Sequence, residues 1–164
     1  MNKKRIKPGP GQESVWDYPR PPKLEKFAGH IRIMIGDDIL VDTNGAYRVL
    51  ETSHPPVYYL PPEDIIMNLL APNSGSSFCE FKGRAAYYDL QWEGKNVPQV
   101  AWYYPSPSQA FLPIKGYLAF YAHKVSACYV NDEQVQAQEG DFYGGWITSW
   151  IVGPFKGAQG TWGW

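Results

Sequence analysis

The sequence predicts a mainly β fold, a compact antiparallel sandwich or barrel-like sheet with two short helices and irregular N- and C-terminal extensions. Three observations carry this expectation. Short apolar–polar alternations recur through the middle of the chain. Turn signals arrive roughly every 8 to 12 residues, the spacing of sandwiches and barrels. No βα alternation is long enough to build a parallel sheet.

The elements follow in order. Residues 1–29 read as an irregular, basic, Pro-rich extension, with Trp16, Tyr18 and Phe27 available to anchor it to a single domain over 30–164. "IRIMI" places Ile31, Ile33 and Ile35 on one face at period two. "GDD" then turns the chain into a second strand at "ILV". Asn44-Gly45 marks the next turn, since both residues tolerate positive φ. "AYRVLE" alternates Tyr47, Val49 and Glu51 against Arg48 and Leu50. "LPPEDIIMNLLAP" reads as the first short helix, with proline and two acids in its first turn and Pro72 as its stop. A strand over residues 77–82 sets Cys79 and Phe81 opposite Phe78, Glu80 and Lys82.

In the next strand Ala86, Tyr88, Leu90 and Trp92 share one face, and Tyr87, Asp89 and Gln91 the other. "EGKN" turns the chain into "VAWYY". The second helix, "SPSQAFLPIKG", has Ser106 as cap, Pro107 first inside, Gln109 completing a capping box and Pro113 limiting its length. "YLAFYA" and "VSACYV" read as a hairpin about a His-Lys turn, and "NDEQ" turns the chain into "VQAQ". Residues 124–164 form a Gly/Trp-rich wrapping tail; its last 24 residues hold four of the seven tryptophans and six glycines. Tryptophans so placed fill grooves or reach a second subunit, which makes a homodimer the expected assembly if there is one.

Charge excludes some classes. Residues 1–29 carry +4 and the remainder −5, so the acidic body lacks the basic footprint of a dedicated nucleic-acid binder. The start, "MNKKRIKPGPG", reads as a solvated tail. No apolar leader segment follows it, and no run approaches the roughly 18 apolar residues of a membrane helix. Cys79 and Cys128 have no C-x-x-C partner, so reduced thiols and a cytoplasmic location are expected.

"VWDYPRPPKLE", "ETSHPPVYYLPPED", "CEFKGRAAYYDL", "AWYYPSP", "IKGYLAFYA" and "FYGGWIT…VGPFKGAQGTWGW" together resemble the domain-of-unknown-function family numbered four hundred and twenty-seven. The resemblance spans nearly the whole chain, with the minimal domain at about 31–123. It implies a compact, largely β domain and a provisional nucleotidyltransferase label. Polymerase-β-type nucleotidyltransferases need a Gly-Ser turn followed by two acids one residue apart to hold Mg²⁺. Here Gly75-Ser76 precedes Asp89, but Gln91 stands where the second acid belongs. The label therefore has weak support, and whether the protein is an enzyme stays open.

The remaining polar groups suggest a pocket. Glu51 falls on the apolar side of its strand and is the best general base. His54, in a loop before two prolines, is a candidate acid or base. Cys79 is a candidate nucleophile, although a buried, inert thiol is the commoner reading. Arg48 and Lys82 are expected to receive an anionic group. Tyr59, Trp102, Tyr104 and Tyr121 are expected to line the site, because tyrosines present apolar bodies with polar tips. The three histidines lack metal-ligand spacing, and no cofactor is required by the sequence. The expected function is binding of a small anionic molecule, with a nucleotide-linked reaction as the label's version of it. The alternative is a non-catalytic module that self-associates through its Trp-rich tail.

Overall fold

The computed structural model describes residues 4–140 and 142–164. The first three residues of the basic start lie outside the described residues, as does Asp141. The strands are β1 (Glu13–Ser14), β2 (Lys23–Lys26), β3 (Ile31–Ile35), β4 (Asp38–Thr43), β5 (Tyr47–Leu50), β6 (Val57–Tyr59), β7 (Leu70–Cys79) and β8 (Gly83–Trp92). They continue with β9 (Lys95–Tyr103), β10 (Ala119–Phe120), β11 (Ala127–Val130), β12 (Glu133–Gln134), β13 (Gln136–Ala137), β14 (Trp146–Ile147) and β15 (Ile151–Val152).

The fold is mainly β, built from several sheets, none of which closes into a barrel among the described residues. Two are four-stranded, ordered β10-β9-β8-β7 and β12-β11-β3-β4; a third is β2-β5-β6. The pairs β13-β14 and β1-β15 complete the set. Every strand pairing is antiparallel except that of β1 with β15. Period-two alternation explains the packing. Ile31, Ile33 and Ile35 on β3 meet Leu90 of β8 and Val100 of β9 in one core between the four-stranded sheets. The opposite faces of β8 and β9, with Ala85, Tyr87 and Trp102, join Val49 and Tyr59 in a second cluster. The middle sheet is therefore covered on both sides.

Several expectations need correction. Neither short helix forms; helical structure among the described residues is confined to 3-10 turns, the longest being Gln109–Ile114. In the first stretch, turns at Pro62–Asp64 and Met67–Leu69 are separated by Ile65, which bridges to Val41 of β4. The Ile66 N–H donates to Leu40 O at 3.0 Å, a long-range bond that replaces the helical one. Pro72 does not stop a helix but sits inside β7. That strand is the outer edge of its sheet, where a residue without an N–H loses no ladder bond. The second stretch is a 3-10 turn with Pro113 inside it. Its cap residue is Ser108, not Ser106, and the Ser108 hydroxyl donates to Phe81 O at 2.6 Å instead of capping.

Two expected turns change sheets. Asn44-Gly45 carries the chain from β4 to β5, and Ala122–Lys124 carries it from β10 to β11. "YLAFYA" and "VSACYV" are accordingly not a hairpin. The terminal extensions are also less irregular than expected. Residues 13–26 supply β1, β2 and a 3-10 turn, and Val15, Trp16 and Tyr18 are buried with Leu50 and Ile151. In the tail, Trp146 is buried against Tyr58, Trp150 stacks on Phe27 and Trp164 packs on Trp16.

Arg48 on β5 ties these extensions down. Its guanidinium pairs with Glu13 at 2.6 Å and Glu25 at 3.4 Å, and lies 5.5 Å from the centre of the Trp150 ring. Burial opposes its charge, but the Glu13 and Glu25 carboxylates outweigh burial and hold the guanidinium charged. Arg48→Ala removes all three contacts. Breaking a buried pair costs about 3–5 kcal/mol; because Glu13 can rehydrate, we expect a loss of about 2–3 kcal/mol in urea unfolding.

Candidate functional site

Val49 lines a cavity on one side of β5, while its neighbour Arg48 points to the other side. The cavity holds about 250 Å³ and lies between the outer face of the β8–β9 sheet and the β5–β6 pair. Its lid is formed by Gln138 and Phe142–Gly144, between β13 and β14. Eight of the nine residues singled out in the sequence border this space. Tyr59 comes from β6, Trp102 from β9, and Tyr104 and Tyr121 from just beyond β9 and β10. Glu51 and His54 come from the β5–β6 connection, and Cys79 and Lys82 from the end of β7 and the turn that follows. Arg48 is the exception; it belongs to the structural cluster described above.

Lys82 reaches the pocket against its expected register. Strict alternation from Cys79 puts it beside Glu80 on the water side. The strand instead ends at Cys79, and Gly83 takes φ +106°, a conformation that L side chains rarely adopt. The turn is fastened by Ser108, whose N–H donates to Lys82 O at 3.1 Å. The result buries Lys82, with 9% of its surface exposed, and sets its ammonium 5.9 Å from the Tyr104 ring centre and 5.7 Å from that of Phe111. Burial opposes the ammonium's charge; Tyr59, Cys79 and Glu51 favour it, and the balance holds Lys82 above the ordinary lysine value. Among the described residues no carboxylate lies within 4.0 Å of it.

The surrounding phenols are donors. Burial pushes Tyr59 and Tyr104 well above the usual tyrosine range, so both stay protonated. The Tyr59 hydroxyl accepts from Trp102 Nε1 at 3.3 Å and also interacts with the Tyr104 hydroxyl, so the pair uses one of its two phenol protons internally. Trp102 and Tyr121 pack with ring centres 4.6 Å apart.

The other end of the pocket is organised by Gln138. Its Oε1 accepts from Gly145 N at 3.0 Å, and its Nε2 donates to Lys156 O at 2.7 Å. That orientation makes Nε2 the donor to His54 Nδ1 at 3.2 Å, so the neutral imidazole carries its proton on Nε2. Nε2 stands 3.8 Å from Glu51 Oε2, and Glu51 in turn is paired with Arg20 at 3.3 Å. Burial, with Lys156, Arg20 and Lys82 nearby, pushes His54 down to about 3. Gln138, Phe142, Tyr143 and Lys156 were missed in the sequence. The one available signal is "YGGW": a Cβ on Gly144 would overlap the Trp102 ring, so glycine lets the lid lie flat on the pocket wall.

Asp89 lies elsewhere. The Gln99 N–H donates to its carboxylate at 2.8 Å and Asn73 Nδ2 at 2.8 Å, which holds it below the ordinary aspartate value. It serves the β7–β8–β9 irregularity and does not border the cavity.

Residues 23–131 match the family described as Domain of unknown function (DUF427), whose short label, NTP_transf_9, is a nucleotidyltransferase name. The chain belongs to DUF427. No curated protein matches it. The DUF427 match begins at β2, earlier than the boundary expected from sequence, and ends at Asn131 in the turn after β11. Lys82, Tyr59, Trp102 and Tyr104 therefore stand inside the DUF427 segment, whereas Gln138, Phe142, Tyr143 and Lys156 lie beyond it. Among the described residues no group of three or more His, Cys, Asp or Glu gathers in a way that would hold a metal ion, and no helix is long and apolar enough to cross a membrane.

Two outcomes follow from this geometry. His54 is neutral when folded but binds a proton near pH 6.5 when unfolded, so the unfolded chain holds the extra proton between about pH 6.5 and 3. Stability falls through that window as pH falls, by up to about 1.4 kcal/mol per pH unit from this group. Urea titrations of wild type and His54→Asn across it will show the shallower slope in the variant. Gly144→Ala forces the lid away from Trp102, and we expect a shifted tryptophan emission with a loss of about 1–3 kcal/mol.

Proposed function

We propose that the protein binds a small anionic molecule in this pocket, with the negative group seated against Lys82. One observation carries the reading: a nine-tenths-buried ammonium borders a ring-lined cavity with no carboxylate within 4.0 Å among the described residues. An isolated buried charge is costly, and a ligand anion would offset that cost. The Tyr59–Tyr104 pair supplies a hydroxyl donor, and Trp102 and Tyr121 supply the apolar wall.

Chemistry on such a ligand would draw on the groups around it. Cys79 is the nucleophile nearest the ammonium, Glu51 is the anionic acceptor, and His54 offers Nε2–H as a donor. A nucleotide-linked reaction has no support from Asp89, which is engaged with backbone and amide donors away from the cavity.

A second reading is favoured by one observation, the exposure of Trp162 (65%) at the end of the tail. There the tail would recruit a second copy of the chain. Truncation cannot test it, because the tail also supplies Trp146 to the core. Trp162→Ser, compared with wild type by sedimentation, separates the two: loss of an oligomer supports the second reading.

The primary test is Lys82→Met, which keeps most of the side-chain volume and removes the charge. A ligand at a hundredfold its Kd stabilises wild type by about 2.7 kcal/mol, a shift of a few degrees in melting temperature. That shift will be lost in Lys82→Met, while the unliganded variant melts close to wild type.

A further inference from the structure

We infer that the ligand of this pocket is a flat, single-ring aromatic monocarboxylate, an inference that rests on the anion-pocket reading and narrows it. Capacity is the first argument. About 250 Å³ is below the about 300–1,000 Å³ of sites for drug-sized ligands, so one ring with a short acid arm fits inside. A nucleoside triphosphate, with base, sugar and three phosphates, does not.

Charge is the second. Where the anion sits, the donors are one ammonium and the phenol proton that the Tyr59–Tyr104 pair does not use internally. A phosphate monoester carries about −1.5 to −2 at neutral pH and is usually met by a helix N-terminus or a nest of backbone N–H groups. No helical segment longer than six residues occurs among the described residues, so a helix terminus of that kind is not offered. The second lysine of the lining, Lys156, stands over the Tyr143 ring at 5.4 Å, whereas Lys82 stands over the Tyr104 and Phe111 rings. Glu51 borders the same space, paired with Arg20. One negative charge matches Lys82; two do not.

The walls are the third. Tyr87, Trp102, Tyr121 and Tyr143 border the remaining volume, and aromatic partners in offset or edge-on contact gain about 0.5–1.5 kcal/mol beyond area alone. A neutral sugar would use such walls but leave the ammonium unmatched. A ring bearing a carboxylate satisfies both.

The experiment is calorimetric titration of the full chain, cross-checked by tryptophan quenching. The probes are benzoate, phenylacetate, cyclohexanecarboxylate, benzyl alcohol, phenyl phosphate and ATP with Mg²⁺. The expected result is binding of benzoate or phenylacetate, at least tenfold tighter than cyclohexanecarboxylate, benzyl alcohol and phenyl phosphate, with no heat from ATP. Lys82→Met weakens the aryl carboxylate at least tenfold, and Lys82→Arg, which keeps the charge, retains it. Tighter binding of phenyl phosphate or ATP that is lost in Lys82→Met overturns the carboxylate class and leaves the anion pocket standing. Equal binding of cyclohexanecarboxylate overturns the aromatic requirement alone. Aryl carboxylate binding that is the same in wild type and Lys82→Met, or no binding by any anion, overturns both.

Discussion

Everything else in the molecule answers to a sheet that is apolar on both faces. Along β8, Tyr88 and Leu90 face the β3 isoleucines, while Ala85 and Tyr87 face the other way. A sheet of this kind cannot leave either face to water, because each exposed ring forfeits burial worth about 1.5–3 kcal/mol. The β12-β11-β3-β4 sheet covers one side, leaving Tyr88, Trp92 and Tyr103 partly buried at its margin. The other is covered by smaller pieces: the β5–β6 pair, the 3-10 turn at Gln109–Ile114 and the tail. Covering a wide aromatic face with small pieces leaves a gap, and the pocket is that gap.

The charges obey the same geometry. β5 separates two electrostatic environments because its side chains alternate. Arg48 points back and is neutralised by Glu13 and Glu25; Val49 and Glu51 point forward into the cavity. The cavity in turn keeps its polar groups in different states. His54 is held neutral by burial and surrounding cations, and Lys82 is held charged by Tyr59, Cys79 and Glu51 despite burial. Glu51 is the group common to both ends: it is 3.8 Å from His54 and one of the groups that favours the lysine charge.

Much of this was legible from residue types and period. The alternation of Ile31, Ile33 and Ile35 and the two faces of β8 were read correctly, because a single-residue slip would reverse every side chain. The tyrosines near Lys-Gly and eight of the nine candidate residues border one cavity. What failed was whatever depends on distant partners. A capping box and a proline-led acidic turn have local helix signatures, but the backbone bond from Ile66 to Leu40 and the Ser108 bond to Phe81 are invisible to a local window. Turn residues at Asn44-Gly45 announce a reversal without saying which sheet comes next. Lys82 was chosen for its neighbours in sequence, not its register; Gly83 rotates it inward. Arg48 was misassigned because its partners, Glu13 and Glu25, come from a stretch read as irregular.

The parallel pairing of β1 with β15 sets an order of events. Glu13 lies opposite Ile151, so the first strand waits for one that is made more than a hundred residues later. Without Trp146 and the lid, the outer face of β8 and β9 is covered only by the β5–β6 pair and the Gln109–Ile114 turn, and the seat of Val15 and Trp16 lacks Ile151. Pairings this distant in sequence close late, after most of the loop entropy has been lost. The segment from Trp146 to Ile151 thus acts as a clasp, and a chain cut before it leaves aromatic surface exposed to self-association.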